Sequence, residues 1–382
     1  MRARGADDLT KAAARMGVEA PARPPGHVPL VAVIPAGGAG TRLWPWSNRA
    51  RPKHLLDLTG SGRSLLQETY DRVRPLAEEV YVLTEARQVE PILAQLPELP
   101  RDRVIVEPVA RGTTSALGLA ALTLAERDPG ALMLSLPADH VVKGRRAFGA
   151  AIKRSARLAA ATDRLVTIGL RPTYPATGFG YIRTAGRFRG GGVTALKVDR
   201  FVEKPSLARA RGYLAEGDHY WNLAMFSWRV GVFLEELARY SPRHYRGLRR
   251  VVAARRAGEE VRAARLYARL PADAVDNTIM ERTEKLVLVP GGFEWVDVGS
   301  WSELHSLLPK DGGGNVLRGD PVLVDAEGSF ISAPGKAIAV IGVKDLVVID
   351  TEEALLVVPR ERAQEVKSVV DRLKARGKTR YL

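Results

Sequence analysis

Short apolar runs alternate with amphipathic stretches along the first half of the chain. An uninterrupted apolar run is typical of a strand buried on both faces of a parallel sheet, whereas a helix packed on such a sheet buries only one of its faces. The alternation therefore predicts a doubly wound α/β domain. The apolar runs lie at residues 30–34, 80–83, 104–106, 132–136 and 165–170, and the amphipathic stretches at 115–126 and 147–161.

The pattern changes in the second half of the chain. Glycines interrupt short runs after Pro172, and long helical patterns return between Val232 and Leu270, which predicts an insertion that adds a second lobe to the sheet. A glycine-rich break at residues 309–314 is followed by β-branched runs and a closing helix at 360–374. This last part predicts a small β-rich domain with no repeat regular enough to count its turns.

These patterns divide the chain into three parts. We predict a disordered tail at residues 1–27, because charges and prolines there leave no apolar period that could pack. The main domain is expected at 28–308 and the β-rich domain at 315–382. Within the main domain, Ser64 and Gln67 have the spacing of a capping box and predict a helix that begins just after Ser64.

Composition narrows the possible chemistry. The 382 residues are 46% hydrophobic and 26% charged, which is typical of a globular protein. The chain has no cysteine, so disulfides, thiolate metal sites and cysteine nucleophiles are excluded and a metal must bind oxygen or imidazole. No uncharged apolar stretch approaches the roughly 20 residues that cross a bilayer. We expect a cytoplasmic protein with no membrane partner.

The chain is strongly basic, with 58 lysines and arginines against 43 acidic residues and a net charge of +15. Such a charge makes polyanions candidate partners. The densest basic stretch, Arg243–Arg269, holds nine arginines but matches no nucleic-acid-binding motif. Because blocks of like charge are usually solvated helix faces, we expect no nucleic-acid partner. The alternative of nucleic-acid binding would show a steep salt dependence.

A glycine-rich segment at residues 35–42 directly follows the first predicted strand, where open α/β sheets bind ligands. Glycines allow backbone N–H groups to approach phosphate oxygens closely. The segment lacks the Gly-Lys-Ser/Thr ending of a P-loop, and Leu43 stands in place of the third glycine of a dinucleotide-binding motif. Arg42 and Lys53 add two cations beyond the glycines, as the binding of a triphosphate requires.

The strand, the loop from Gly37 to Leu43 and the Pro52-Lys53 pair together resemble the signature of the sugar nucleotidyltransferases. The Trp44-Pro45 variant is similar to that of the mannose-1-phosphate guanylyltransferases. The resemblance implies a Rossmann-like mixed sheet of the GT-A type, followed by a β-rich domain like a left-handed β-helix. It continues in order along the chain, at residues 107–113, 137–140, 178–182, 201–205, 221–226, 274–281 and 295–301.

The resemblance also implies an activity and a set of site residues. The expected reaction transfers a nucleotidyl group from GTP to mannose 1-phosphate, giving GDP-mannose and diphosphate, with Mg²⁺ as cofactor. Expected to be catalytic are Arg42, Lys53, Asp139 and Asp297, with Asp139 and Asp297 as metal ligands. Nucleotide binding is expected from Ala36, Gly37, Gly38, Gly40, Thr41, Glu107 and Thr113, and sugar-phosphate binding from Gly180, Glu203, Lys204, Asn222 and Asp276.

Departures from the family pattern keep two alternatives open. Gly112, Leu223, Ala224 and Asn277 differ from the residues usual in specificity segments, so the same chemistry on a heptose or glucose 1-phosphate is possible. Gly112 replaces an asparagine, which predicts looser selection of the base. The second alternative is a silent regulatory homologue that binds nucleotide without turnover, although the four expected catalytic residues are present. A homodimer is expected from the resemblance of the β-rich domain.

Overall fold

The structure, a computed structural model, describes residues 28–38 and 40–382, so the tail predicted at residues 1–27 lies outside the described residues. The chain forms two compact units. The first unit takes the described residues up to Gly37, Tyr70–Pro137 and Lys143–Glu294, and the second takes Gly38–Thr69, Ala138–Val142 and Trp295–Leu382.

The strands, numbered in chain order, include all those predicted in the first half of the chain. They are β1 Leu30–Pro35, β2 Glu79–Glu85, β3 Val104–Glu107, β4 Leu132–Ser135, β5 His140–Lys143, β6 Leu165–Leu170, β7 Tyr181–Gly190, β8 Val193–Val202, β9 His219–Arg229, β10 Leu286–Pro290, β11 Glu294–Asp297, β12 Val316–Gly319, β13 Val322–Val324, β14 Phe330–Ala333, β15 Ala339–Ile341, β16 Leu346–Asp350 and β17 Leu355–Pro359.

The helices follow the predicted amphipathic stretches and the Arg-rich region. They are α1 Leu65–Val73, α2 Val89–Gln95, α3 Gly112–Arg127, α4 Arg145–Ala161, α5 Leu207–Glu216, α6 Val230–Tyr240, α7 Pro242–Arg256, α8 Glu260–Ala268, α9 Trp301–Leu307 and α10 Val366–Ala375, with a π-helix at Asp276–Met280. The capping box at the start of α1 is confirmed, since Ser64 N donates to Gln67 Oε1 at 2.9 Å and Gln67 N to Ser64 Oγ at 3.2 Å.

The first unit is built on a nine-stranded mixed sheet with the order β3-β2-β1-β4-β9-β6-β10-β8-β7. The strands β1 to β4 pair in parallel, and Val33 of β1 lies opposite Tyr81 of β2 and Ser135 of β4. The pairings of β9 with β4 and β6 are antiparallel, as is that of β8 with β10. The predicted doubly wound α/β fold is therefore confirmed, as a mixed sheet.

Both faces of this sheet are covered. Met133 of β4 belongs to a buried cluster with residues of α3, α6, α7 and α8, whereas its neighbour Leu132 packs with Leu158 of α4. Successive residues of a strand point to opposite faces, so the helices lie on the two sides of the sheet. In the first cluster, Trp228 stacks on Phe233 with ring centroids 4.4 Å apart.

The strands of the second unit alternate between two small sheets. β12, β14 and β16 pair in parallel with β17 at the edge, while β13 and β15 pair in parallel in the other sheet. This alternation is that of a coil winding between two faces, as in a β-helix. The side chain of Asn315 supports the first turn, accepting from Ser329 N at 2.8 Å and donating to Ala326 O at 2.9 Å.

The compact units differ from the single division predicted at residues 309–314. Residues 38–69, 138–142 and 295–308 pack with the C-terminal strands instead of with the large sheet. The reason is a shared hydrophobic core, because Leu43, Leu58 and Trp301 are fully buried in one cluster with Phe330 and Val347. None of the helices in the described part of the chain has the length and apolar character to span a bilayer.

Candidate active site

The glycine-rich segment begins where β1 ends. Ala36 still belongs to the sheet, since its N donates to Leu83 O at 2.8 Å and its O accepts from Thr84 Oγ1 at 2.9 Å. At Gly37 and at Gly38 a Cβ would meet no described atom within 4 Å, so both leave open space beside the backbone. Of these three predicted nucleotide-binding residues, Ala36 has its backbone engaged and the two glycines are accessible.

Gly40 is required by the close approach of Lys53. It has φ +60°, and a Cβ at this position would lie 2.4 Å from Lys53 Cβ. Its carbonyl accepts from Ser47 Oγ at 2.5 Å. A short 3₁₀ turn, Thr41–Leu43, follows and is anchored by the buried Leu43. Arg42, on the same turn, is exposed and forms no hydrogen bond or ion pair with any residue that the structure describes.

Lys53 joins the two carboxylates predicted to bind metal. Its Nζ lies 2.9 Å from Asp139 Oδ2 and 3.0 Å from Asp297 Oδ1. The lysine side chain is buried, while the carboxylates retain 39% and 35% of their side-chain exposure. Two oxygens from distant parts of the sequence therefore converge on one positive charge and remain accessible to solvent.

Local structure brings the carboxylates together. Asp139 immediately precedes β5 and Asp297 is the last residue of β11, and these two strands form a sheet of their own. The rings of His140 and Trp295 pack edge to face across it, with centroids 5.1 Å apart. After Asp297 the chain turns, with Gly299 N donating to Asp297 O at 2.8 Å. His140 therefore has a structural role here.

The electrostatics of this cluster favour the charged forms of Lys53 and Asp139. Burial alone would lower the pKa of Lys53, but the negative charges of Asp139 and Asp297 outweigh it and hold the pKa above its ordinary value. Burial would raise the pKa of Asp139, yet Lys53 holds it well below its usual range. The neighbouring His54 is neutral at pH 7, because burial lowers its pKa to about 4.

The residues present fit a divalent cation. Asp139 and Asp297 offer oxygen ligands, which Mg²⁺ prefers, and their contacts with one ammonium group show that they converge where a cation is stabilised. Their partial exposure leaves room for the waters that Mg²⁺ usually keeps.

The predicted nucleotide-facing residues of the first unit are engaged within it. Glu107, at the end of β3, is buried and accepts a short hydrogen bond from Tyr267 of α8. Burial raises the pKa of Glu107 to about 7, against the opposing effect of this hydrogen bond. Thr113 Oγ1 accepts from Val275 N at 2.9 Å. Both side chains thus support the protein scaffold, and their contact with a nucleotide stays a prediction.

The backbone around residue 112 explains why a glycine stands there, which the sequence alone did not show. It has φ +72°, and a Cβ there would lie 2.2 Å from the carbonyl oxygen of Asp273. An asparagine at this position would force the backbone apart at the start of α3. The glycine is therefore explained by packing, and looser selection of the base stays a prediction.

The predicted sugar-phosphate residues lie close together in the first unit. Asn222 donates through Nδ2 to Asp276 Oδ1 at 2.9 Å, and its backbone N donates to Gly180 O at 2.8 Å. A Cβ on Gly180 would lie 2.5 Å from Glu203 Oε2, so a larger residue at this position would displace the Glu203 carboxylate. Lys204 Nζ donates to Glu203 Oε1 at 2.7 Å and is largely exposed.

This group carries excess negative charge. Burial, followed by repulsion from Glu203, raises the pKa of Asp276 to about 6. Lys204 adopts φ +47°, a left-handed conformation that is uncommon for a residue with a side chain. Strained residues of this kind are concentrated at ligand sites. The arrangement provides carboxylate acceptors for hydroxyl groups beside one exposed cation.

Sequence reasoning missed several residues around this group. Tyr174, Phe179 and Trp221 form an aromatic cluster whose ring centroids are 4.9 Å apart for Tyr174 and Trp221 and 5.4 Å for Phe179 and Trp221. Glu281 accepts from Glu203 N at 3.4 Å. Tyr174 and Phe179 lie near the Gly178–Gly180 turn in the sequence and were a visible signal for the cluster, whereas nothing in the sequence indicated the contacts of Trp221 and Glu281.

The chain is similar to known families and proteins over most of its length. The model of the family described as nucleotidyl transferase matches residues 31–312, and that of the MannoseP isomerase/GMP-like beta-helix domain matches residues 319–373. A mannose-1-phosphate guanylyltransferase from Escherichia coli is 40% identical over 357 residues, covering 92% of this chain and 75% of the relative. One from Klebsiella pneumoniae is 40% identical over 358 residues with the same coverage.

The chain belongs to the mannose-1-phosphate guanylyltransferase family of nucleotidyl transferases. A solved structure from Thermus thermophilus, named a mannose-1-phosphate geranyltransferase, is also similar to it. The TM-score is 0.79 at 35% identity, with 91% of this chain and all of that chain covered. The predicted fold class, a Rossmann-like mixed sheet followed by a β-helix-like domain, is therefore confirmed.

Membership of the mannose-1-phosphate guanylyltransferase family also confirms the prediction of an enzyme, a nucleotidyltransferase. It decides against the silent regulatory homologue. Enzymes that transfer nucleotidyl groups generally use a divalent metal to neutralise the phosphates. In this guanylyltransferase family member, the carboxylate oxygens of Asp139 and Asp297 have the chemistry to bind such a metal. The polar side chains of Asn222 and Asp276 have the chemistry to bind hydroxyl groups.

Proposed function

We propose that this chain transfers the guanylyl group of GTP to mannose 1-phosphate. An oxygen of the sugar phosphate attacks the α-phosphorus of GTP, and the bond from that phosphorus to the oxygen bridging to the β-phosphate breaks. GDP-mannose forms and diphosphate leaves. The observation that carries this proposal is the cluster of Lys53, Asp139 and Asp297, in a chain whose relatives are named for this reaction.

Asp139 and Asp297 are proposed to hold Mg²⁺. When bound, the ion would supply the charge that neutralises phosphate oxygens and aligns the two substrates. The role of the two carboxylates is to hold it with anionic oxygens against its own hydration shell. No protein nucleophile is needed, because the attacking oxygen belongs to the substrate.

Lys53 and Arg42 are proposed to bind the β- and γ-phosphates of GTP. Lys53 is positively charged and buried, and its ammonium group contacts the carboxylate oxygens of Asp139 and Asp297. Arg42 is exposed, forms no hydrogen bond or ion pair with any described residue, and follows the accessible Gly38 by four residues in the chain. Cations in these roles would stabilise the departing diphosphate.

Glu203, Asn222 and Asp276 are proposed to bind the mannose hydroxyls, and Lys204 the sugar phosphate. The two carboxylates and the amide provide acceptors in a partly buried group, and Lys204 adds an exposed cation. Hydroxyl recognition by buried polar groups is selective, because a sugar lacking the matching hydroxyl leaves one of them unpaired. We therefore assign sugar selection to this group.

Substrate choice is tested with a matrix of nucleoside triphosphates against mannose, glucose and heptose 1-phosphates, measured as diphosphate release with Mg²⁺. We expect the highest kcat/KM for GTP with mannose 1-phosphate. A higher value for a glucose or heptose 1-phosphate would replace the mannose assignment while leaving the reaction type intact. No release with any pair would contradict the proposed reaction itself.

We also propose that the chain forms a homodimer through the small sheet of β13 and β15. One face of this sheet presents Val322, Val324 and Ile341, of which Val322 and Ile341 are more than 60% exposed. The register pairs Val324 with Ile341, so the apolar side chains form a continuous patch. Contiguous exposed apolar residues mark interaction surfaces, and a second copy would bury them symmetrically.

A further inference from the structure

A tight turn between α5 and β9 gathers three potential metal ligands in the first unit. α5 ends at Glu216, Gly217 takes φ +72°, and β9 begins at His219. His219 Nδ1 lies 2.7 Å from Asp218 Oδ1 and 3.5 Å from Glu216 Oε2. All three ligand atoms lie within 4.8 Å of one another.

The imidazole in this group is buried and its ring orientation is fixed. His219 is only 3% exposed, and its ring stacks on Tyr213 with centroids 4.2 Å apart and an interplanar angle of 17°. Within the described part of the chain, neither His219 Nδ1 nor Asp218 Oδ1 has a hydrogen-bond partner. At this distance the imidazole nitrogen and the carboxylate oxygen need either a hydrogen on Nδ1 or a metal ion between them.

The spacing of the ligand atoms suits a metal ion. A tetrahedral ion with ligand distances of about 2.0–2.1 Å places its ligand atoms roughly 3.3 Å apart. The observed separations of 2.7 Å and 3.5 Å lie on either side of that value. Glu216 and Asp218 are half exposed, so their side chains are free to adjust and water has access to a fourth position. Imidazole with carboxylates favours Zn²⁺ over Mg²⁺.

The surrounding backbone is held in place. The carbonyl of Asp218 accepts from Thr184 N at 3.1 Å and from Thr184 Oγ1 at 3.0 Å. The carbonyl of Gly217 accepts from Arg171. The nearby cation Arg183 is paired with Asp199, with Nε 2.6 Å from Oδ2. The hydrogen bonds of both arginines therefore go to groups other than the carboxylates of Glu216 and Asp218.

We propose that Glu216, Asp218 and His219 form a structural site for a transition-metal ion of the Zn²⁺ type. The ion would tie the end of α5 to the start of β9 and so fix the turn that precedes Asn222. The site shares no residue with the pair Asp139 and Asp297, and the proposal does not depend on the substrate assignments above. It concerns stability and not catalysis.

The test is titration of the full chain with ZnCl₂ by calorimetry, in a background carrying Asp139→Asn and Asp297→Asn to remove the other carboxylate pair. We expect one bound Zn²⁺, a raised unfolding temperature and no competition from Mg²⁺. Adding His219→Ala should weaken binding by at least about tenfold. Asp218→Asn, which keeps the stacked imidazole, should weaken it similarly and guards against a folding defect in the first variant.

Glu235→Gln serves as a matched control, because Glu235 is an exposed carboxylate of the same unit outside the turn. Its exchange should leave Zn²⁺ binding unchanged. Failure of the background protein to bind Zn²⁺ would overturn the proposal and show that a proton on Nδ1 satisfies the pair. Binding that persists unchanged in both His219→Ala and Asp218→Asn would show adventitious metal elsewhere and would overturn it equally.

Discussion

Lys53 has two roles at one position: it pairs with Asp139 and Asp297, and it is proposed to bind phosphate. Its buried ammonium group is stabilised by two carboxylates that would otherwise repel each other. Removing one member of such a group leaves the others with uncompensated charge, which costs more than the interaction itself contributes. The cation therefore stabilises the second unit in addition to any role in binding phosphate.

We predict that Lys53→Met lowers the free energy of unfolding by about 1 to 3 kcal/mol, because Asp139 and Asp297 then face each other without a cation. Mg²⁺ alone should restore more stability in this variant than it adds to the wild type. Thermal unfolding with and without Mg²⁺ measures both effects, and the exposed Lys204→Met is the control. Equal stability and equal Mg²⁺ response in variant and wild type would contradict the role of Lys53.

Gly40 offers a second test at the residue scale. A methyl group there would overlap Lys53 Cβ, so Gly40→Ala should displace the lysine and raise the KM for GTP by about tenfold or more. Gly60→Ala is the matched control, since φ at Gly60 is also positive, no described atom lies within 4 Å of the added carbon, and Gly60 is outside the predicted nucleotide site. Steady-state kinetics at varied GTP compare the two. Equal losses would mean that backbone strain, and not Lys53, explains the effect.

At the scale of elements, the packing of α8 against the end of β3 buries the carboxyl group of Glu107. Glu107 ends β3, and its partner Tyr267 comes from the Arg-rich region that the sequence indicates as a solvated face. The arginines of that region are mostly exposed, as predicted, but Tyr267 on the opposite face is fully buried. The basic stretch therefore forms amphipathic helices, with arginines on the exposed face and Tyr267 on the buried face.

The raised pKa of Glu107 predicts a pH dependence of stability. Burial moves this pKa from the ordinary 4.5 to about 7, so the folded state holds the proton more tightly than the unfolded state. The stabilisation from this group is then complete below about pH 4.5 and is lost as the pH rises through about 7. Glu107→Gln, whose amide oxygen still accepts from Tyr267, should remove this loss.

We expect Glu107→Gln to exceed the wild type in stability by about 2 kcal/mol at pH 8 and to match it near pH 5. Thermal unfolding across this pH range measures the difference. A constant offset between the two proteins at all pH values would show that Glu107 does not titrate in this range.

The sequence predicted the individual strands and helices more fully than their assembly. Apolar runs located β1 to β4 and β6, and the capping box at Ser64 located the start of α1, because these signals depend on near neighbours. The partners of Lys53 were not predictable in this way. They depend on β5 pairing with β11, between residues far apart in the chain, and no local pattern encodes that contact.

At the scale of the whole molecule, the division into two compact units also depends on contacts between residues far apart in the chain. The sequence break at 309–314 is visible as glycines, but the packing of residues 38–69 with the C-terminal strands depends on side chains such as Leu58 meeting Phe330. The β-branched run that contains β15 likewise predicts a strand, while only its register with β13 shows that Val324 and Ile341 form one exposed patch.

The homodimer proposal gives a prediction at this scale. Ile341→Lys should dissociate the dimer, because a charge at the centre of an apolar interface is costly to bury. Light scattering after size exclusion measures the mass, and Leu355→Lys, an exposed apolar position on the edge strand β17, tests whether the effect is specific to the β13 and β15 face. A wild-type monomer, or an Ile341→Lys dimer, would contradict the proposed interface.

The central claim is that Asp139, Asp297 and Lys53 form the centre of a metal-dependent guanylyl transfer. Its most direct measurement is GDP-mannose formation from GTP and mannose 1-phosphate with Mg²⁺, in the wild type and in Asp297→Asn. We predict equal amounts of GDP-mannose and diphosphate from the wild type, and a rate lower by about 10² to 10³ in the correctly folded variant. A variant rate within about threefold of the wild type would contradict the claim, because such a small change is far below the loss expected for a metal ligand.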